Sequence, residues 1–226
     1  MIFIVRQERL DDAKRTRLME AAIEEFAERG IESASYNKII ERSGLSKGTV
    51  YYYFDNKDSL LLTVLDEICE RFRRAIGDLA LPETKEGYWE TALEYHGRAI
   101  RFFLENPLLW RVLFWISKDS PCNDGHVEVF HDRATRFLDD LIVRGQEIGA
   151  VRRDFPPETV QRLMHSLGKV LAADILGYDR NGTAPASGKK MNETEQTKVE
   201  QFMLMIHDLS RRILTPEEDL RCFTRF

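Results

Sequence analysis

The sequence has little of what marks several large classes of protein. Only three of its 226 residues are cysteine. Cys69, Cys122 and Cys222 stand far apart, are odd in number and include no C-x-x-C pair, so neither a disulfide framework nor a thiolate zinc site is indicated. Long apolar runs are missing as well. Ile2–Val5 is the longest near the N-terminus, short of the about 7–15 apolar residues of a signal peptide. No stretch approaches the roughly 20 apolar residues of a spanning helix. The expected location is therefore cytoplasmic, with no membrane partner. Nor is positive charge in excess. Lys+Arg number 33 against 38 Asp+Glu, a net charge of -5, which excludes a general nucleic-acid coat. Sustained strand-like alternation is absent throughout.

What is present is helical periodicity. From Asp12 to Arg29, Leu18, Ala22, Ile23 and Phe26 recur at spacings of three and four, and Gly30 then offers a stop. Ser35 can cap a short helix containing Ile39 and Ile40, and Ser46 a second one through Tyr53 or Phe54. Asp55, with Asp58 three residues on, suggests a capping box for a long helix carrying Leu61, Val64, Leu65, Ile68 and Phe72. Further helices are expected over Glu86–Glu105, from Asn106-Pro107 to about Lys118, over His126–Gly149, from Pro156-Pro157 to about Tyr178, and over Glu193–Leu214. Asp179–Asn192 reads as a loop and Thr215–Glu218 as the start of a terminal turn. The fold class is all-α with about nine helices.

Two short helices joined by Ser43-Gly44-Leu45 make a helix-turn-helix pattern. The second opens with Ser46, Lys47, Gly48 and Thr49. Free backbone N–H groups and the positive dipole end at such a start favour a phosphate. Gly48 is a poor helix former, so propensity does not account for it; close approach of a bulky partner does. Tyr51, Tyr52 and Tyr53 cannot all face a core, since successive helical residues point about 100° apart. An exposed tyrosine can contact phosphate or a thymine methyl.

The segment Gly30–Leu60 resembles the DNA-binding domain of TetR-type bacterial transcriptional regulators. Gly30, Ser35, Ile39, Ser43-Gly44-Leu45-Ser46-Lys47-Gly48, Tyr51, Tyr53-Phe54, Lys57 and Leu60 carry the likeness. Ser35 stands where threonine is commoner, and Ile40 and Ser43 where alanine is. The resemblance implies an N-terminal three-helix domain over 1–57, a connecting helix at about 56–78, and an effector-binding and dimerisation domain over 58–226. It implies that Ser35 and Tyr36 touch phosphate, and that Ser46, Lys47, Gly48 and Thr49 approach bases or phosphates. Tyr51 and Tyr52 would touch backbone and thymine methyls, and Lys57 would clamp a phosphate. Arg6, Arg9, Lys14, Arg15 and Arg17 form a basic arm that is either a further DNA contact or a solvated tail. The implied partner is a double-stranded operator with palindromic half-sites, bound by a homodimer and released by a small, largely apolar effector. No cofactor, metal or catalytic residue is implied.

Independent support for the larger half is partial. Aromatic residues crowd Tyr88–Trp115, and Trp89, Phe103, Trp110, Phe114 and Trp115, with His96 as a polar anchor, are candidate effector contacts. A bundle core is the alternative for each. Apolar stripes that include Leu163, Leu167, Val170 and Leu171 on one helix, and Phe202, Ile206 and Leu209 on the last, suit a four-helix dimer interface. A dimer also answers a mechanical need. One recognition helix reads few bases, whereas two read half-sites roughly 34–36 Å apart. The rival function is an all-α enzyme or metal-binding protein using Cys122, His126 and His131; no nucleophile–base spacing or phosphate loop accompanies them. Charge is unevenly spread: the first 57 residues sum to zero, and the whole -5 falls in 58–226. An acidic bulk repels DNA and favours approach through the N-terminal end.

Overall fold

A computed structural model describes residues 11–119, 136–175 and 193–216, without the side chains of 117–119, 165, 168–175 and 193–203. The described residues form nine α-helices and no strand. These are α1 (Asp12–Arg29), α2 (Tyr36–Ser43), α3 (Lys47–Tyr53), α4 (Lys57–Ile76), α5 (Lys85–Glu105), α6 (Pro107–Asp119), α7 (Arg136–Glu147), α8 (Pro157–Ile175) and α9 (Glu193–Leu214). The all-α expectation holds. Cys122, His126, His131 and the loop over 179–192 lie outside the described residues. Within them, no group of three or more His, Cys, Asp or Glu is placed to hold a metal. No described helix is long and apolar enough to cross a membrane.

The chain divides into two compact units. The first comprises residues 1–71 and 106–133, and therefore α1–α3, most of α4, and α6. The second comprises 72–105 and 134–226, with the end of α4, α5 and α7–α9. This differs from the expected boundary at residue 57. Helix α6 packs on α1, through a stripe of Leu109, Val112 and Ile116 buried at spacings of three and four.

In the first unit the apolar positions expected for α1 are spent as expected. Leu18, Ala22 and Phe26 are wholly buried, and Ile39, Val50, Phe54, Leu60, Val64 and Ile68 complete the core. The start of α4 differs from expectation. Asn56, not Asp55, caps it: the Ser59 N–H donates to Asn56 Oδ1 at 2.8 Å, and the Asn56 N–H to Ser59 Oγ at 3.4 Å. This is a capping box shifted by one residue.

In the second unit α5 packs against α9 and α7, and α8 against α7 and α9. Aromatic rings fill much of its core. Phe72 meets Tyr95 and Phe102 edge-on and stacks with Phe103, while Tyr95 stacks with Phe137. Gly145 permits the close approach of α7 to α5, since a Cβ there would stand 2.4 Å from the Tyr88 ring.

Candidate nucleic-acid interface

The recognition element is built on one tight turn. Gly44 ends α2 with φ +66°, a left-handed conformation that costs glycine little. Its N–H donates to the Glu41 carbonyl at 3.1 Å. Ser43 is buried, and its hydroxyl donates to the Ile40 carbonyl at 2.8 Å while accepting from the Leu45 N–H. Ser46 then caps α3, accepting from the Thr49 N–H at 3.1 Å, and the Ser46 and Thr49 hydroxyls lie 2.8 Å apart.

Helix α3 commits little of itself to the fold. Val50 is its one buried residue, and Phe54 follows as a second anchor. Ser46, Lys47 and Gly48 are exposed and Thr49 is half-buried. Tyr51 and Tyr52 are 47% and 54% exposed, large for rings in a folded chain. Lys47 makes no ion pair among the described residues. Nothing lies within 4 Å of the point that a Cβ on Gly48 would occupy. No internal contact therefore calls for glycine at this position. Of the residues expected to meet DNA, Ser46, Lys47, Gly48, Tyr51 and Tyr52 are thus open to solvent, and Thr49 in part.

The start of α2 is held from behind. Ser35 caps it, accepting from the Lys38 N–H at 3.4 Å, and its own N–H donates to Glu25 Oε1 at 3.1 Å. Glu25 is 1% exposed, a charge that burial penalises unless it is paired. Arg42 supplies the charge at 3.6 Å and bonds Glu28 at 2.9 Å. The sequence did not single out Glu25; its place beside Ala22 and Phe26 on the inner face was the available signal.

Two of the residues expected at phosphates are engaged within the chain. The Tyr36 hydroxyl donates to the Phe54 carbonyl at 2.7 Å, and its ring meets Tyr51 edge-on. Burial first, then the charges of Tyr51 and Asp55, push this phenol up to about 12, so it stays protonated. A phosphate offers only acceptors, and the one proton is already given. Tyr36 thus ties the start of α2 to the end of α3. Lys57 is spent in the same manner. Its ammonium donates to the carbonyls of Ile31, Glu32 and Ala34 at 2.7, 2.8 and 3.2 Å. An ammonium has three protons, and all three close the turn before Ser35.

The six candidate effector contacts fall in both units. Trp89 is buried, His96 half-buried, and Phe103 stacks on Phe72, all within the second unit. The Trp89 ring meets His207 edge-on. Burial, then the nearby His207, lowers His96 to about 4, so its imidazole is neutral near pH 7. Trp110, Phe114 and Trp115 belong to α6 in the first unit. The Trp115 indole N–H donates to the Ala27 carbonyl at 3.2 Å, so this ring also serves the packing of the first unit. A hollow of about 150 Å³ between α1 and α4 is lined by Asp12, Arg15, Thr16, Met19, Glu67 and Arg71, too polar for an apolar effector.

Of the expected dimer residues, Leu163 is 47% exposed, and Leu167 and Leu209 are half-buried. Ile206 is corrected: at 6% exposure it is spent in the core of its own chain. The side chains of Val170, Leu171 and Phe202 lie outside those described. Ile213, part of the expected stripe on the last helix, is exposed, as are Leu204 and Met205, which were not anticipated.

Residues 18–64, the region just described, match the family "Bacterial regulatory proteins, tetR family". An HTH-type transcriptional repressor of Streptomyces coelicolor is 33% identical over 104 residues, 46% of this chain and 50% of that one. The alignment therefore spans half the length of that relative. The HTH-type transcriptional repressor AcnR of Corynebacterium glutamicum is 25% identical over 156 residues, 68% of this chain and 77% of its own. Over this region the chain is similar to TetR-type regulators. Its fold is matched by a crystal structure from Shewanella, a putative tetR family transcription regulator, with a TM-score of 0.69 at 19% identity over 90% of this chain and 99% of that one. A TetR family regulator from Marinobacter aquaeolei gives a TM-score of 0.63 at 21% identity over 92% and 98%. The curated relatives named here are repressors of transcription.

Proposed function

We propose that the protein represses transcription as a two-fold dimer that grips a palindromic operator through the exposed end of α3. Ser46, Lys47, Gly48, Thr49, Tyr51 and Tyr52 would meet bases and phosphates, and the Ser35 hydroxyl would keep its proton for a phosphate. The observation that carries this reading is Gly48. It is exposed and helix-weakening, and among the described residues nothing lies within 4 Å of the point its Cβ would take, which suits close approach of an outside partner. Dimerisation through the second unit is supported by Leu163, Leu204, Met205 and Ile213, apolar side chains that one chain leaves in water.

Release by a small, largely apolar effector is the regulatory part of the proposal. The aromatic core of the second unit, with Trp89, Phe103 and neutral His96, supplies the fitting chemistry. An effector acts only through its different affinities for the DNA-competent and incompetent states. Selection from a random duplex pool tests the whole reading. The expected winner is a palindrome with half-sites about one helical turn apart, bound by two chains with steep salt dependence. Recovery of no preferred sequence, or binding as a single chain, would refute it.

A further inference from the structure

The first unit carries more basic side chains than the helix-turn-helix uses, and the fold sorts them. Arg15 pairs with Glu67 at 3.2 Å, and the same carboxylate takes Arg71 at 3.0 Å. Arg42 is shared between Glu25 and Glu28. Arg17 stands apart. It is exposed and makes no ion pair among the described residues. Two residues beyond Arg15, it points about 200° away around α1. Its Nη1 lies 3.8 Å from the point that a Cβ on Gly44 would occupy, which puts the guanidinium against the turn of the helix-turn-helix. Gly44 precedes the Ser46 cap by two residues, and Lys47 by three. Lys14, three residues before Arg17 and so on the same face of α1, is also exposed and without an ion pair among the described residues.

We propose that Arg17, supported by Lys14, forms a second phosphate-binding patch beside the recognition helix and takes the DNA backbone there. Guanidinium suits this work, since its planar fork matches phosphate oxygens in pairs. The patch rests on the reading of the first unit as the DNA-binding head, and it separates two arginines that sequence alone cannot tell apart. Arg15 is tied down for structure, whereas Arg17 is left open at the turn.

The test is the salt dependence of binding by the full chain to its selected duplex. Wild type, Arg17→Ala, Arg17→Lys and Arg15→Ala are compared, with thermal melting as a check on folding. Each lost phosphate contact lowers the slope of log affinity against log salt by about 0.9. Arg17→Ala is expected to lose that amount per subunit, Arg17→Lys to keep the slope, and Arg15→Ala to keep it while melting earlier. An Arg17→Ala slope equal to wild type, or an equal loss in Arg15→Ala, overturns the patch and leaves the α3 reading standing. A wild-type chain that binds no duplex selectively overturns both.

Discussion

Lys57→Met separates a structural lysine from a phosphate clamp. Methionine keeps the length of the side chain and removes the three bonds to Ile31, Glu32 and Ala34. Hydrogen bonds to a charged group contribute about 1.5–3 kcal/mol each. The Glu32 carbonyl is exposed and regains water, and the other two are only partly shielded, so the net loss is about 2–4 kcal/mol rather than the full sum. For a chain of this size each kcal/mol moves the melting temperature by about 2–4 °C, so a fall of roughly 5–15 °C is expected. Operator affinity should fall with it, because the loosened turn carries Ser35. The salt slope should stay as in wild type, since no phosphate contact is lost. Differential scanning calorimetry and anisotropy titrations at several salt concentrations read both quantities. A melting temperature within about 2 °C of wild type, with a slope shallower by about 0.9 per subunit, would refute the turn-lock role and restore the clamp.

Other outcomes follow from the same geometry. Tyr36→Phe removes one hydrogen bond to the Phe54 carbonyl, so thermal melting should show a loss of about 1 kcal/mol with an unchanged salt slope; a shallower slope would return Tyr36 to the phosphate. His96 is lowered to about 4 by burial and by His207, against about 6.5 in an unfolded chain. The unfolded state therefore binds the proton more readily. The stabilisation is complete above about pH 6.5 and is lost as pH falls toward about 4, by at most about 3 kcal/mol. Urea unfolding at pH 7 and pH 4.5 measures it, and His96→Leu should flatten the difference; equal pH dependence in the variant would dismiss His96 as the cause.

Helix existence was readable because local signals agreed: Leu18, Ala22 and Phe26 share a helical face and a core, and Ser35, Ser46 and Asn106-Pro107 sit where helices begin. The exposed end of α3 was readable for a different reason. Gly48 and the tyrosine run break local rules, and broken rules concentrate where a partner is met. The rest depended on contacts remote in sequence. Tyr36 and Lys57 look like open donors until Phe54, Ile31, Glu32 and Ala34 are brought to them. Trp115 looks like a cavity ring alone until the carbonyl of Ala27, 88 residues away, is seen to accept from its indole N–H. Ile206 and Ile213 belong to one apolar stripe, and only packing decides that the first is buried and the second exposed. The cap of α4 moved from Asp55 to Asn56 because both are good caps and local sequence does not choose between them.

If the exposed end of α3 meets DNA at close range, the operator affinity of Gly48→Leu must register it. A side chain at this position meets open space in the folded chain, and leucine is a better helix former than glycine by about 0.5–1 kcal/mol. The variant should therefore fold at least as stably as wild type. If DNA backbone or base edges occupy that space, the intruding side chain disrupts contacts worth about 1–3 kcal/mol per subunit, and two subunits together lose roughly 30-fold in affinity or more. A stable variant with that loss is the expected result. A stable variant that binds its operator as tightly as wild type would contradict the account.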